Sequence, residues 1–139
     1  MKILIINGPN INLIGKREPE LYGHKSFESY LDSLREMFPD VHIDHFQSNI
    51  EGEIIDSIQQ AAGKYDALVL NAGGYTHTSV AIGDAVRAVS IPVTEVHITN
   101  IFIRESYRHI SFVAPAAKGS ITGFGLDGYR LAVLSLTGG

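Results

Sequence analysis

The chain has 139 residues, of which 45% are hydrophobic and 19% are charged, and its formal net charge is −4. This length and composition suit one globular domain with a sizeable core, and they exclude a disordered chain. The acidic balance lacks the basic footprint of a nucleic-acid-binding protein, and the absence of cysteine excludes disulfides, thiolate metal sites and a cysteine nucleophile.

The apolar runs of the sequence are no longer than a strand, so none of them is long enough to span a bilayer. Met1 and Lys2 lead directly into the first of these runs without a hydrophobic leader segment. We therefore expect a cytoplasmic protein that binds neither a membrane nor nucleic acid.

A loop of unusual length follows the first strand, which is predicted over residues 2–7. Residues 7–23 contain two prolines, three glycines and three asparagines, and they have neither helical nor strand periodicity. Long loops of this kind in compact domains are typically functional lids or disordered. We predict a lid at about residues 16–23 that carries Arg17 and Tyr22.

Strand and helix patterns alternate along the rest of the chain. Helices are predicted to begin at Ser26, just after Ser48, and near residues 78 and 126, with a short one at 104–108. The second of these helices is predicted to carry Ile50 on its apolar stripe. Ser48 and Glu51 have the spacing of a capping box. Further strands are predicted at 41–47, 66–71, 93–98 and 119–122.

This alternation indicates an α/β fold in which helices cover both faces of a parallel sheet. We expect a single domain over residues 1–139, built as a flavodoxin-like three-layer sandwich. Its five-stranded parallel sheet is predicted to have the order 2-1-3-4-5. In such sheets the ligand binds beyond the carboxyl ends of the strands, where the strand order reverses.

Polar side chains gather at the predicted carboxyl ends of strands 1, 3 and 4. They are Asn7, Asn10, Asn71, His77, Glu95, His97 and Thr99. Asparagine and glycine also form ordinary strand-ending turns, so each residue has a plain structural interpretation when it is taken alone. The repeated placement at one edge of one sheet is what favours a functional site.

Histidine is the natural acid–base group near neutral pH, and both His77 and His97 fall at this edge. The structural alternatives are a helix-terminal His77 bonded to backbone and a satisfied core His97. Neither residue forms a known metal spacing with Glu95, so we predict no metal site. The other histidines are interpreted as surface or structural residues: His24, His42, His45 and His109.

Gly73 and Gly74 precede a predicted helix, where free backbone N–H groups favour an anion. The segment lacks the nucleotide-binding patterns, so a single carboxylate or phosphate fits better than a nucleotide. Arg104, Glu105 and Arg108 share one side of the short helix, and a solvated charged face is the ordinary interpretation. The alternative is that Arg108 reaches the site, because the segment follows strand 4.

Arg17 and Tyr22 lie on the same predicted lid. A free tyrosine has a pKa of about 10, and a nearby cation lowers that pKa by favouring the phenolate. Closure of a lid over a ligand brings such groups together. We interpret the pair as a base that is switched on when the substrate is enclosed.

Several segments together resemble the type II 3-dehydroquinate dehydratases. They are residues 7–15 (Asn-Gly-Pro-Asn-Ile-Asn-Leu-Ile-Gly), 17–23, 48–53, 71–79, 95–100, 104–108 and 123–129. The resemblance covers essentially the whole chain in order. Ile11, Ala72 and Thr99 depart from the commonest residues of the family, and none of these departures affects an expected acid or base.

The resemblance implies reversible anti elimination of water from 3-dehydroquinate to 3-dehydroshikimate through an enolate, with no cofactor or metal. The reaction belongs to the shikimate pathway and aromatic amino acid biosynthesis, or to quinate breakdown. Tyr22 would be the base, and Arg17 would favour its phenolate. Asn10 would stabilise the enolate through a bound water. His97 would be the general acid, and Glu95 would orient it.

The resemblance also implies the substrate-binding residues, which are Asn71, His77, Asp84, Ile98, Thr99 and Arg108. The backbone amides of Ile98 and Thr99 would hold the substrate carboxylate. Asp84 would reach the substrate of a neighbouring subunit, because the family forms homododecamers of four trimers. The alternative for Asp84 is an ordinary solvated helix residue.

Two other functions are compatible with the predicted fold. A flavodoxin-like binding domain would use the Gly73–Gly74 turn for an anionic ligand, but it would have no need for Arg17 and Tyr22. A phosphotransfer receiver would need clustered aspartates at strand ends where this chain has asparagines, so we set that function aside.

Overall fold

The computed structural model describes residues 1–16 and 26–138. Five strands form one parallel sheet: β1 (Lys2–Asn7), β2 (His42–Gln47), β3 (Ala67–Asn71), β4 (Val93–His97) and β5 (Gly119–Thr122). Their order is β2-β1-β3-β4-β5, which confirms the predicted topology. Asn7 and Asn71 are directly paired at the ends of β1 and β3, so both lie where the strand order reverses.

In the described residues, four helices cover the two faces of the sheet: α1 (Phe27–Met37), α2 (Glu51–Ala61), α3 (Val80–Ala88) and α4 (Asp127–Thr137). Buried side chains of α1 and α4 pack in one apolar cluster, and those of α2 and α3 pack in a second. The three-layer α/β sandwich predicted from the sequence is therefore confirmed. No helix in the described part of the chain is long and apolar enough to cross a membrane.

The central strands are buried on both faces, which explains their nearly continuous apolar sequences. Every residue of β3 and β4 is buried, as are the last five residues of β1. Along β1, Ile3 and Ile5 belong to one apolar cluster, whereas Leu4 and Ile6 belong to the other. This alternation follows from the two-residue period of a strand.

Two of the helix starts are fixed by serine side chains. Ser26 accepts a hydrogen bond from the Ser29 N–H at 3.2 Å, and Ser79 accepts one from the Ile82 N–H at 2.9 Å. α3 accordingly begins at Val80 rather than at residue 78, because a 3₁₀ turn occupies Gly73–His77. Serine caps satisfy N–H groups that the first helical turn leaves unpaired.

The predicted capping box of α2 is wrong. The helix begins after Ile50, which has no side-chain cap and lies exposed rather than on the apolar stripe. Ser48 instead accepts the Ile50 N–H at 3.0 Å and donates to a carboxylate oxygen of Glu53. The serine hydroxyl is thus engaged in a local turn before the helix, which leaves Glu51 without the capping role.

The segment after β4 forms short 3₁₀ turns rather than the predicted helix at 104–108. These turns lie at Ile101–Ile103, Ser106–Arg108 and Ala114–Ala116. Arg104 has an extended backbone, with φ −98° and ψ −167°, which separates the first two turns. The chain consequently winds back across the carboxyl edge of the sheet.

Candidate active site

A cavity opens beyond the carboxyl ends of β1, β3 and β4. Its walls come from the loop after β1, the 3₁₀ turn after β3 and the segment after β4. The predicted site residues that line it are Asn10, Asn71, His77, His97, Ile98, Thr99 and Arg108. The sequence therefore predicted the edge of the sheet at which this cavity opens and most of its polar lining, while the functional role of these residues stays a prediction.

The remaining predicted residues lie elsewhere. Arg17 and Tyr22 fall outside the described residues, as does the predicted lid beyond Lys16. Glu95 is 1% exposed and contacts His97, so it supports the cavity wall without lining it. Asp84 is exposed on α3 and does not line the cavity.

Asn10 has a fixed conformation in the loop after β1. Its backbone adopts the left-handed region, with φ 69° and ψ −3°, which asparagine tolerates better than most residues. Its N–H donates to the side-chain oxygen of Asn49 at 3.1 Å, and its carbonyl accepts from the Leu13 N–H at 3.0 Å. Ile11 and Ile14 are buried on either side of this turn.

The backbone segments that follow β1 and β3 are in direct contact. The Gly8 N–H donates to the Asn71 carbonyl at 2.7 Å. A Cβ atom at Gly8 would lie 2.4 Å from the carbonyl oxygen of Ala72, so no other residue fits there without displacement of the chain. This close approach sets the separation of the two loops that form the cavity floor.

Asn71 holds the turn that follows β3. Its side-chain oxygen accepts the Gly73 N–H at 3.1 Å, and its side-chain nitrogen donates to the Tyr129 hydroxyl at 2.9 Å. Gly73 has φ +61°, a conformation that other residues rarely adopt. Both the oxygen and the nitrogen of the Asn71 amide are therefore held by hydrogen bonds, and the residue also lines the cavity.

His97 and Glu95 form a buried pair at the end of β4. The Nε2 atom of His97 lies 2.9 Å from the Oε2 atom of Glu95, and the two side chains are 6% and 1% exposed. Because Nε2 faces Glu95, Nδ1 is the nitrogen of His97 that remains for a substrate.

Three hydroxyl groups surround the Glu95 carboxylate. Thr76 and Ser111 donate to Oε2 at 2.6 and 2.7 Å, and Ser120 donates to Oε1 at 2.6 Å. Burial by itself raises the pKa of Glu95, but His97 and the serine hydroxyls outweigh it and lower the pKa to about 2. Glu95 is consequently ionised at neutral pH beside His97.

His77 lies beside His97 in the cavity wall, with the two rings stacked at a centroid distance of 6.1 Å. Its Nδ1 atom lies 2.8 Å from the Ile110 carbonyl oxygen, which can only accept, so Nδ1 carries a hydrogen. Burial is the largest cause that lowers the pKa of His77, followed in the same direction by the charge of His97. A neutral His77 thus offers Nε2 as an acceptor.

Two arginines supply positive charge to the cavity. Arg108 donates from Nε to the Glu105 carboxylate at 2.8 Å. Arg104 is only 16% exposed and donates from Nη1 to the Thr99 hydroxyl at 3.4 Å. The interpretation of Arg104 as part of a solvated face is therefore wrong, because the 3₁₀ turns fold it back over β4. An anionic ligand suits this wall.

Sequence reasoning missed five residues that line or support the site: Thr76, Arg104, Ser111, Ser120 and Tyr129. Arg104 had a usable signal, since it stands four residues before Arg108 in the same loop. The hydroxyl groups and the tyrosine are common residue types in unremarkable contexts. Only their convergence from separate segments shows their role.

Comparison with known proteins agrees with this geometry. Residues 1–137 match the family model for class II dehydroquinase. A 3-dehydroquinate dehydratase of Fusobacterium nucleatum subsp. nucleatum is 50% identical, over 98% of this chain and 96% of that protein.

Solved structures give the same result. A type II dehydroquinase from Butyrivibrio crossotus has 45% identity and a TM-score of 0.95, over 99% of this chain and 97% of that one. A type II dehydroquinase from Propionibacterium acnes has 36% identity and a TM-score of 0.94 with the same coverage. The family resemblance expected from the sequence motifs is therefore confirmed, and this chain belongs to the class II dehydroquinase family.

Proposed function

We propose that this chain is a hydro-lyase that interconverts 3-dehydroquinate and 3-dehydroshikimate as a single catalytic domain over residues 1–139. The observation that carries the proposal is the buried Glu95–His97 pair, of which His97 lines a cavity together with two arginines. The elimination needs an acid at the departing hydroxyl, and a carboxylate substrate needs cations. The family membership and the names of its relatives support the same reaction.

His97 is the proposed general acid. Its Nδ1 atom gives a proton to the departing hydroxyl as the C–O bond breaks, and water leaves. The adjacent Glu95 carboxylate, 2.9 Å from Nε2, holds the ring so that Nδ1 is directed to the substrate. The three hydroxyls that keep Glu95 ionised support this division of roles.

Tyr22 is the proposed base, on a lid over about residues 16–23. Its phenolate takes the proton next to the ketone, which leaves an enolate, and Arg17 favours that phenolate. Asn10 stabilises the enolate oxygen through a bound water. The left-handed turn at Asn10 supports this part of the proposal, because the residue lies in the cavity lining.

The remaining lining residues bind the substrate in this proposal. The backbone N–H groups of Ile98 and Thr99 hold the carboxylate, while Asn71, His77 and Arg108 hold the hydroxyl groups and the ring. Arg104 adds a second cation beside Thr99. An anionic, polyhydroxylated ring matches a wall made of amides, imidazole and guanidinium groups.

We also propose a homododecamer of four trimers, in which Asp84 reaches the substrate of a neighbouring subunit. α3, which carries Asp84, packs closely against the segment after β4, since a Cβ atom at Gly83 would lie 2.4 Å from the Phe112 carbonyl oxygen. That segment exposes large apolar side chains, namely Phe102, Ile103, Tyr107 and Ile110. Such a patch supports a protein interface.

The assembly is tested by sedimentation velocity of the wild type and of an Ile103→Glu variant, since Ile103 is 79% exposed. We expect the wild type to sediment as twelve chains and the variant as smaller species. A wild type that sediments as a monomer and still turns over substrate refutes both the dodecamer and the role of Asp84.

The reaction is tested by following the ultraviolet absorbance of the conjugated enone product with purified protein and 3-dehydroquinate. We expect absorbance to rise with the wild type, with or without a chelator, and not with a His97→Asn variant. Binding of 3-dehydroquinate without any enone would support the anion-binding domain instead. We propose that the reaction takes place in the cytoplasm, as part of aromatic amino acid biosynthesis.

A further inference from the structure

A continuous chain of hydrogen bonds crosses the sheet next to the cavity. The Gly73 N–H donates to Asn71, whose amide nitrogen donates to the Tyr129 hydroxyl. The Tyr129 hydroxyl donates to the side-chain oxygen of Asn7 at 2.7 Å. The side-chain nitrogen of Asn7 then lies 3.0 Å from Nε2 of His45 on the edge strand β2. Four separate segments are joined in this way.

The direction of every bond in the chain follows from one backbone group. The Gly73 N–H can only donate, so the oxygen of the Asn71 amide must face it and the nitrogen must face Tyr129. The Tyr129 hydroxyl then accepts from Asn71 and has its own hydrogen left for the oxygen of Asn7. Asn7 consequently turns its nitrogen to His45, whose Nε2 must accept.

The central members of the chain are sealed from solvent. Asn7 and Tyr129 are both 0% exposed, and Asn71 is 2% exposed. Burial raises the pKa of Tyr129, so its hydroxyl stays protonated and neutral. The ring packs edge-on against Phe27 at 5.0 Å and lies near Tyr30. Bulk water therefore has no access to replace a lost partner of Asn71.

We infer that Tyr129 is a positioning residue, which holds the Asn71 amide in the one orientation that serves both Gly73 and a bound substrate. Asn71 uses one Nδ2 hydrogen for Tyr129 and has the second left for a ligand in the cavity that it lines. The identity of that ligand rests on the proposed function. The chain extends the site's support to His45, on the opposite edge of β1 from Asn71.

His45 must be neutral for the chain to hold. A hydrogen on Nε2 of His45 would face the side-chain nitrogen of Asn7, which is also a donor. Relieving this clash would require the Asn7 amide to flip and the Tyr129 hydroxyl to donate to Asn71 instead. The Asn71 amide would then have to flip as well, which would place its nitrogen against the Gly73 N–H, another donor. The pKa of His45 is lowered, and burial is the largest cause. Two charged residues of α1 also act on it: Glu28 raises the pKa, and Arg35 lowers it further. These effects favour the neutral, accepting form.

The kinetic test compares Tyr129→Phe with Tyr65→Phe. The Tyr65 hydroxyl also makes a strong hydrogen bond, at 2.6 Å to Asp44, but it precedes β3 at the end of the sheet away from the cavity. We expect Tyr129→Phe to raise KM for 3-dehydroquinate about three- to tenfold, with kcat changed much less, as for one lost neutral hydrogen bond. The control is expected to leave both constants unchanged.

Equal KM values for the wild type and Tyr129→Phe would overturn the inference, because a merely structural hydroxyl would lower stability alone. Wild-type turnover is measured first, since its absence would refute the proposed function without bearing on the hydrogen-bond chain. The chain itself is then tested by an experiment that needs no substrate.

That experiment is nitrogen-15 NMR of the histidine side chains in the wild type near neutral pH, with His45 assigned by a His45→Gln variant. We expect Nδ1 of His45 to carry the hydrogen and Nε2 to show the shift of an unprotonated acceptor. A hydrogen on Nε2 of His45 would overturn the inference even if Tyr129→Phe failed to fold, because the chain would then run in the opposite direction.

Discussion

Oε2 of Glu95 and Nε2 of His97 lie 2.9 Å apart at the end of β4, and both side chains are almost fully buried. The pair joins a carboxylate whose pKa is lowered to about 2 to the proposed general acid. A Glu95→Gln change keeps the size of the side chain but removes its charge. The charged partner that holds the His97 ring is then lost.

We expect Glu95→Gln to lower kcat about 10²-fold or more, in the range of a lost general acid. KM is expected to change less, because Glu95 does not line the cavity. Steady-state kinetics by enone absorbance measures both, with Glu36→Gln on the exposed face of α1 as the matched control. A kcat within threefold of the wild type would contradict the role given to Glu95.

The same carboxylate makes the folded protein sensitive to acid. The folded-state pKa of Glu95 is about 2, below the ordinary 4.5, so its contribution to stability is fully present above pH 4.5. That contribution is lost as the pH falls from 4.5 towards 2, and it amounts to on the order of 3 kcal/mol. Urea unfolding at a series of pH values from 6 to 3 measures it. We expect the wild type to lose stability more steeply than Glu95→Gln, and parallel curves would contradict the lowered pKa.

Tyr22 is the proposed base, so removal of its hydroxyl is expected to abolish proton abstraction. We expect Tyr22→Phe to lower kcat about 10²- to 10⁴-fold while the protein remains folded. Tyr65→Phe, which removes a hydroxyl away from the cavity, is the control and is expected to keep the wild-type kcat. Arg17→Gln is expected to move the acidic side of the kcat/KM profile to higher pH, because the cation that favours the phenolate is gone and Tyr22 then loses its proton only at higher pH. Near-normal turnover of Tyr22→Phe would exclude it as the base.

Gly8 and Gly52 offer a matched pair of glycine-to-alanine changes. A Cβ atom at Gly8 would meet the Ala72 carbonyl at 2.4 Å, whereas one at Gly52 in α2 meets nothing within 4 Å. We expect Gly8→Ala to cost about 1–3 kcal/mol and to lower activity, because it separates the loops of the cavity floor. Gly52→Ala is expected to stabilise by about 0.5–1 kcal/mol, as alanine favours a helix. Urea denaturation measures the free energy of unfolding of both variants. Equal values for Gly8→Ala and Gly52→Ala would refute the close packing at Gly8.

Arg104 and Arg108 are expected to contact the bound substrate, because both line the cavity. Replacing either arginine by glutamine removes a charge-assisted hydrogen bond to the substrate. We expect each replacement to raise KM about 10- to 100-fold. Arg87→Gln, on the exposed face of α3, is the control. If Arg104→Gln keeps the KM of the wild type, the side chain belongs to the loop rather than to the binding site.

Much of the fold could be predicted from local sequence. The apolar runs of β1, β3 and β4 are as continuous as full burial requires, and the strand–helix alternation leaves few topologies. Asn10, Asn71 and His97 could be placed at one edge because parallel strands bring their carboxyl ends together. The prediction of where α2 begins was wrong because Ser48 has several possible hydrogen-bond partners nearby. Sequence spacing alone does not show which of them the serine hydroxyl binds.

The sequence by itself determined the architecture and the edge of the sheet where the cavity opens, because both depend on periodicity and on the order of segments. Its motifs separately carried the family resemblance. Only the tertiary structure decided what surrounds each reactive group. Thr76, Ser111 and Ser120 reach Glu95 from 16 to 25 residues away, and Tyr129 reaches Asn7 from 122 residues away. Such contacts depend on how helices and loops pack on the sheet, and no local pattern records that packing.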